Sequence, residues 1–244
     1  MRFQMTVRSL ALFITCMTLA GGALGQNLVI PPPIEADQFA ADIHLDSLAR
    51  LPAVQRDDLD ARGQEVFDLW VQPGTGYGTG LRGPIGMWMH SPELAAAMFD
   101  VRQRVRYETE KDQRLTELTI IATAREISNQ YEWSAHEGPA RVAGLEEQII
   151  DLVKYRRPLP AIDSMPGFGE TERTIIQFAR EVVSEEKVSS STFADAVRIF
   201  GREGTMDLVG LIGYYNFVAI TLKAFDLQRP PGSELLLPIS TATQ

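Results

Sequence analysis

The sequence contains almost no cysteine, and this absence excludes a large group of functions. Its one cysteine, Cys16, lies close to the N-terminus, within a segment that we expect to be removed. The mature chain would then have no thiol able to form a disulfide or to act as a redox thiolate. Disulfide-stabilised domains and thiol-dependent redox enzymes are therefore poor matches for this chain.

Positive charge is also scarce. The formal net charge is -9, from 23 Lys and Arg residues against 32 Asp and Glu residues. Proteins that bind nucleic acids need a basic surface to neutralise phosphates, so we expect no nucleic-acid partner. The acidic balance likewise gives no support to binding at an anionic membrane surface.

Histidine occurs at three positions only, His44, His90 and His136. None of them lies in a His-x-x-x-His arrangement. Glu132 and His136 are one helical turn apart and could face the same ion, but two ligands do not define a metal site. We therefore predict no bound metal.

Long apolar runs are few. One covers residues 10–24, with Arg2 and Arg8 before it and the small residues AGGALGQ at its end, a pattern typical of a signal peptide cleaved before Gln26. The run is shorter than the roughly 20 apolar residues that a membrane span needs. We therefore expect residues 1–25 to be a signal peptide and the mature protein to be exported, to the periplasm or beyond, without a membrane segment. A retained anchor or a lipid attached to the cysteine are the alternatives.

Alternation of apolar and polar residues with a period of two is almost absent, which predicts an all-α fold. We expect a single-domain helical bundle over residues 51–228, an arm and a helix over 26–50, and a tail over 229–244. The stretch LTIIATA is apolar on every side and predicts a helix that is buried all round, and LVGLIGYYNFVAITL predicts another core helix. The expected helices cover residues 35–49, 54–71, 92–106, 112–128, 130–144, 146–155, 170–186, 191–200 and 205–226.

A glycine-rich loop is expected over residues 73–86, PGTGYGTGLRGPIG. Its GTGLRG matches the G-x-G-x-x-G pattern, but a dinucleotide site also needs a strand before it and a helix after it. Neither is predicted here, so we expect no nucleotide binding. The loop is either a lid over a site or a mobile surface segment, and Arg82 is its only charged residue.

The stretch YEWSAH at residues 131–136 combines groups that helix surfaces rarely need. Glu132 and His136 share one helix face, where the carboxylate could orient the imidazole and favour its charged form. Glu117 lies on the preceding helix, in line with mostly apolar positions, where a carboxyl is costly unless it is paired or protonated. The alternative is structural: Asn129 caps the helix in a capping-box arrangement, and Trp133 is ordinary core.

The segment RLTELTIIATAREISNQYEWSAHEGPARVAGL resembles the carboxymuconolactone decarboxylase family, which includes the alkylhydroperoxidase D-like proteins. Further matching stretches extend the resemblance over residues 51–227. It implies an all-α fold assembled as trimers or hexamers. The peroxidase branch of that family has a glutamate, a Cys-x-x-Cys pair and a following histidine, and these positions fall on Glu117, Asn129, Glu132 and His136. Both cysteines are thus replaced, which places the chain with the decarboxylase-like branch, a branch without a cofactor.

The resemblance implies proton transfer on a small unsaturated lactone or carboxylic acid. His136 would supply or take the proton, Glu132 would orient the imidazole, and Glu117 would hold a second proton or a substrate hydroxyl. Since two carboxylates repel an anionic substrate, a cation is needed, and Arg82 is the first candidate and Arg141 the second. Aromatic residues are expected to line the pocket, namely Tyr131, Trp133 and Tyr214. The alternatives are a non-catalytic oligomeric protein that binds small hydrophobic molecules, and a redox enzyme with another cofactor.

Overall fold

The computed structural model describes residues 38–108 and 112–238, and this part of the chain contains eight α-helices and no strand longer than an isolated bridge. The predicted all-α fold is confirmed. All the described residues belong to one compact unit. The helices are α1 (Ala61–Val71), α2 (Gly83–Trp88), α3 (Pro92–Gln103), α4 (Gln113–Glu126), α5 (Gln130–Val142), α6 (Glu147–Lys154), α7 (Glu170–Ser184) and α8 (Ser190–Ala224).

Helix α4 is the centre of the bundle and packs against α5, α7 and α8. Every residue from 116 to 124 is buried, so the predicted all-round burial is confirmed. The helix begins where the side chain of Asp112 accepts a hydrogen bond from the backbone N–H of Arg114 at 2.9 Å. The core helix thus carries Glu117 among apolar neighbours, where the carboxyl needs partners.

A tight turn returns the chain from α4 into α5. Ser128 has a left-handed backbone, and the Asn129 side chain accepts a hydrogen bond from the N–H of Glu132 at 3.1 Å. The predicted cap at Asn129 is confirmed. Because the turn is short, α4 and α5 pack side by side, and residues in the first turns of α5 face the middle of α4.

The last helix, α8, joins two helices that the sequence predicted separately. They meet at Gly201, whose backbone is non-helical with φ 68° and ψ 179°. Among the described residues, α8 is long and apolar enough to cross a membrane, and half of its most apolar window is buried inside the protein. Its buried residues, including Leu211, Ile212 and Val218, contribute to both apolar clusters of the core, as expected for a core helix.

The N-terminal helix expected over residues 35–49 is wrong for the part that is described, 38–49. These residues form turns, closed by a backbone hydrogen bond from the N–H of His44 to the carbonyl of Ala49 at 2.8 Å. Leu48 has a left-handed backbone with φ 56°, which a continuous right-handed helix does not allow. The expected signal peptide and cleavage position lie outside the described residues.

Two further boundaries differ from expectation. The glycine-rich loop ends at Arg82, because Gly83–Trp88 forms α2 with a proline in its first turn. The helix expected over residues 92–106 is α-helical only to Gln103 and continues as a π-helical turn over Arg104–Glu108. Both segments contribute residues to the cavity described below.

The C-terminal segment packs onto the start of α5 as far as residue 238. The side-chain amide of Gln130 donates to the carbonyl of Leu237 at 2.7 Å and accepts from its N–H at 3.0 Å. Leu237 is itself buried in the core. The part of the expected tail that is described therefore covers one end of the bundle, and residues 239–244 lie outside the described part.

Candidate active site

A buried hydrogen-bonded chain links α5, α4 and the π-helical turn. Nδ1 of His136 lies 2.7 Å from Oε2 of Glu117, and Oε1 of Glu117 accepts a hydrogen bond from Nη2 of Arg106 at 2.7 Å. The guanidinium keeps the carboxyl group as an acceptor, so the proton of this bond belongs to Nδ1 of the imidazole. The other ring nitrogen, Nε2, is then the atom that can exchange a proton with a ligand.

Glu132 lies on the other side of the imidazole. Its Oε2 is 3.7 Å from Nε2 of His136, and the residue is 4% exposed. Burial raises the pKa of Glu132 above its usual value, against the opposing effect of the charges on His136 and Arg106. The site therefore combines one carboxylate paired with a guanidinium and one carboxyl group that holds its proton more tightly than usual.

We expect Glu132→Gln to stabilise the protein at pH 8 and to have little effect at pH 4. A carboxyl whose folded pKa is raised stabilises the folded state at low pH, and this contribution is lost as pH rises from the usual value of 4.5 through the raised one. The amide carries no such penalty. Denaturant unfolding of the variant and the wild type at both pH values measures the difference.

Glu137 provides a matched control for that experiment. It lies on the same helix and is equally buried at 4% exposed, but it pairs with Lys154 at 3.1 Å and with Arg141 at 3.2 Å. Removal of a paired charge leaves its partners uncompensated, so Glu137→Gln should lower the free energy of unfolding at pH 8. A Glu132→Gln variant that is also destabilised at pH 8 would contradict the expectation that the ionised Glu132 carboxylate destabilises the folded protein.

The histidine opens into a cavity of about 250 Å³. Tyr215 packs edge-on against its ring, with the centroids 5.1 Å apart. Burial raises the pKa of Tyr131 to about 12 and raises that of Tyr77, Tyr214 and Tyr215 as well, so these phenols stay protonated and can donate hydrogen bonds. The residues that line the cavity include Tyr77, Arg82, Arg102, Arg106, Tyr131, Glu132, His136, Tyr214 and Tyr215.

Three guanidinium groups line the cavity, against one acidic side chain, that of Glu132. Arg82 lies at its exposed side on the glycine-rich loop, whereas Arg102 and Arg106 come from α3 and the π-helical turn. The cation that was predicted near the carboxylates is thus provided by three arginines. An anionic ligand would meet a site whose positive groups are at least as numerous as its negative ones.

The structure brings together most of the predicted site residues and separates two of them. Tyr131, Tyr214 and Arg82 line the cavity, as expected. Trp133 does not: it is fully buried in the core, because it is turned by about 100° around the axis of α5 from the adjacent Glu132. Arg141 is also displaced from the cavity, and its guanidinium pairs with Glu137 and Glu147 at the surface.

The residues that the sequence argument missed are Arg102, Arg106, Tyr77 and Tyr215. A signal for Arg102 was present in the sequence. It follows Ala95 and Phe99 at helical spacing, and both of these are buried. A charged residue on the apolar stripe of a helix indicates a buried polar site, and this pattern could have identified Arg102 before the structure.

Gly83 is a position where the cavity depends on glycine. Its φ is +62°, and a Cβ atom there would lie 2.8 Å from the hydroxyl oxygen of Tyr131. We expect Gly83→Ala to lower the free energy of unfolding by about 1–3 kcal/mol, since an L-residue is strained at this angle. Gly86→Ala in the same helix is the control, because its Cβ would meet its nearest neighbours at an ordinary 3.7 Å. Equal denaturation midpoints for the two variants would contradict this explanation.

Within residues 38–108 and 112–238, no group of three or more His, Cys, Asp and Glu side chains is placed to hold a metal ion. His136 and the glutamates beside it can transfer protons and take part in hydrogen bonds. The imidazole is held from one side by a carboxylate and is open to the cavity on the other. This arrangement is suited to a general acid or base.

Comparison with known proteins gives a fold. No protein-family model and no curated protein matches the sequence. The structure is similar to an alkylhydroperoxidase AhpD core, an uncharacterised peroxidase-related protein from Ralstonia eutropha, with a TM-score of 0.56 and 16% identity over 75% of this chain and 93% of that one. A protein of unknown function from Agrobacterium tumefaciens, connected with the antioxidant defence protein AhpD, gives a TM-score of 0.49. The identity is 21%, and the match covers 61% of this chain and 98% of that one. The helical architecture and its similarity to the Ralstonia protein show that this chain has the alkylhydroperoxidase D-like fold that its sequence resemblance predicted.

Proposed function

We propose that this protein is a cofactor-independent enzyme that transfers protons on a small unsaturated lactone or carboxylic acid, by decarboxylation or isomerisation. The observation that carries the proposal is the bond of 2.7 Å between His136 and Glu117 in the wall of a cavity. A core histidine of purely structural importance would be sealed and bonded to backbone. Here the ring has a carboxylate partner and faces a space where a ligand can bind.

The proposed decarboxylation uses the imidazolium form of His136. With Nδ1–H donated to Glu117, the second proton is on Nε2, facing the cavity. In a decarboxylation, the bond between the substrate and its carboxylate breaks, and carbon dioxide leaves. The electron pair passes into the conjugated system, and the far carbon takes the proton from Nε2. An isomerisation would start from the neutral imidazole instead: Nε2 first removes a proton from one carbon and then returns it to another.

Glu132 and Glu117 have different parts in this proposal. Glu132 is close to Nε2 and can return a proton to the imidazole after transfer, since its raised pKa keeps it protonated to higher pH than usual. Glu117 stabilises the imidazolium and fixes the ring, and Arg106 in turn fixes Glu117. Both carboxyl groups therefore act through the histidine, which is the group that meets the substrate.

A thiol peroxidase activity does not follow from the name of the similar Ralstonia protein. Peroxide reduction by this fold would need a thiolate that attacks the peroxide and a second sulfur that resolves the product. The positions that correspond to the two cysteines are Asn129 and Glu132, and one caps a helix while the other faces His136. Where the peroxidase pattern has two cysteines, this chain has the amide of Asn129 and the carboxyl group of Glu132. Of these two groups, the carboxyl group can transfer protons.

Export and assembly are part of the same proposal. We propose that residues 1–25 are removed as a signal peptide and that the mature enzyme is a homo-trimer or homo-hexamer outside the cytoplasm. The substrate would then be an unsaturated acid or lactone available in the periplasm or outside the cell. Sedimentation of the purified mature protein measures the assembly, and N-terminal sequencing of the exported protein measures the cleavage position.

The proposed reaction is tested with a panel of unsaturated lactones and carboxylic acids. Conjugation changes in either reaction, so ultraviolet absorbance follows turnover directly, and carbon dioxide release separates decarboxylation from isomerisation. We expect at least one compound to turn over without added metal or cofactor. Binding of panel members without turnover would favour the alternative, a non-catalytic protein that binds small molecules in the same cavity.

A further inference from the structure

Among the described residues, one arginine buried in the wall of the cavity has no acidic partner. Arg102 is 5% exposed, and its hydrogen bonds within the described chain go only to neutral groups. Its Nη2 donates to the carbonyl of Thr75 at 2.9 Å and to the hydroxyl of Tyr107 at 3.1 Å. Its Nη1 is buried and has no hydrogen-bond partner. Native structures rarely leave a buried charged donor unpaired, because the unmade bond is costly.

Aromatic rings hold this guanidinium without neutralising it. Its central carbon lies 5.7 Å from the ring centroid of Trp70, 5.8 Å from that of Tyr77 and 5.1 Å from that of Tyr107. Such contacts favour a cation and fix its orientation, but they provide no negative charge. The positive charge of Arg102 is therefore kept in place and available to a ligand.

Arg106 adds a second free donor to the same wall. Its Nη2 is bonded to Glu117, but its Nε is buried without a partner. Elsewhere in the described chain, the partly buried Arg114 bonds to both Glu146 and Glu172, at 2.6 and 2.7 Å. Arg114 is thus fully paired, whereas Arg102 and Arg106 each have one buried nitrogen without a partner among the described residues.

We propose that Arg102 selects the ligand by its charge, binding a carboxylate group through Nη1 with Nε of Arg106 as a second donor. A neutral ligand of the same shape is rejected, since it leaves the buried guanidinium uncompensated. The inference rests on the proposed function only in taking this cavity as the place of reaction. According to this inference, the substrate is an acid. Its carboxylate binds at the wall formed by α3 and the π-helical turn.

The glycine-rich loop must shift slightly for this contact, because Nη1 is covered. The loop touches Arg102 through the carbonyl of Thr75 and the ring of Tyr77. Gly74 and Gly76 in this loop have positive φ angles and no neighbouring atom within 4 Å of the place where a Cβ would lie. Glycines in open space allow a small backbone movement, so the loop can admit a carboxylate to Nη1.

Benzoate and benzamide test the proposal, because they have nearly the same shape and differ in charge. Calorimetric titration of the full-length protein should give benzoate at least about tenfold tighter binding than benzamide, as expected for a buried charge-assisted contact. Arg102→Met should abolish this preference. Arg141→Met should retain it, because Arg141 lies outside the cavity and pairs with Glu147. Arg82→Met should retain most of it, because Arg82 is exposed.

Several outcomes would overturn the assignment. They are equal binding of benzoate and benzamide to the wild type, no benzoate binding, an unchanged preference in Arg102→Met, or a preference lost in Arg82→Met alone. Circular dichroism checks that Arg102→Met is folded; if it is not, Arg102→Gln takes its place, with the same expected loss. Turnover has no part in these titrations, so their failure leaves the proposed reaction standing, and failure of the reaction leaves the titrations interpretable.

Discussion

Replacement of His136 by alanine is expected to lower kcat by about 100-fold or more on whichever panel compound turns over. The imidazole is bonded to a carboxylate at 2.7 Å and also lines the cavity, so it can exchange a proton with a bound ligand. Without it, neither Glu132 nor Glu117 replaces the proton donor at the same place.

His90→Ala is the matched control for this measurement. His90 is an exposed histidine outside the cavity, with Nε2 lying 3.0 Å from the carbonyl oxygen of Pro52. Its replacement should leave kcat within error of the wild type. A His136→Ala enzyme with full activity would remove this residue from the reaction and favour the non-catalytic binding protein.

Arg106→Met is expected to lower the free energy of unfolding by about 3 kcal/mol or more. The arginine is 13% exposed and its partner Glu117 is 5% exposed, with 2.7 Å between Nη2 and Oε1. Loss of the guanidinium leaves a buried carboxylate whose one remaining described partner is an imidazole, and the penalty is that of an uncompensated charge. Urea denaturation at neutral pH measures this change, and turnover should fall with it.

Two further variants make the stability result specific. Arg56→Met breaks an exposed ion pair with Asp68 and should cause no measurable change, as is common for surface pairs. Arg106→Met combined with Glu117→Leu removes both charges and should recover part of the lost stability. If Arg106→Met alone leaves the free energy of unfolding unchanged, another group compensates the charge of Glu117.

The sequence predicted the part of the site that depends on local rules. Asp112 and Asn129 are helix caps of ordinary type, and they place the starts of α4 and α5 correctly. Once two neighbouring helices are joined by a short turn, Glu117 and His136 can only lie near one another. Glu132 then follows from its position one turn before the histidine.

The rest of the site depends on packing between distant segments, which periodicity does not encode. Arg106 comes near Glu117 because a π-helical turn follows α3, and Tyr215 reaches His136 from α8, far along the chain. Trp133 was expected in the cavity because it is aromatic and adjacent to Glu132. One residue along a helix turns the side chain by about 100°, and that rotation places it in the core.

The widened turn over Arg104–Glu108 has a consequence for which changes of length this chain can tolerate. Excision of a single residue there would restore ordinary helical winding and move the residues within the turn around the helix axis. Arg106 would then point elsewhere, although every neighbouring amino acid had been retained. Homologous chains that keep this chemistry should therefore accept substitutions at the solvent-facing positions of this turn but no deletions within it.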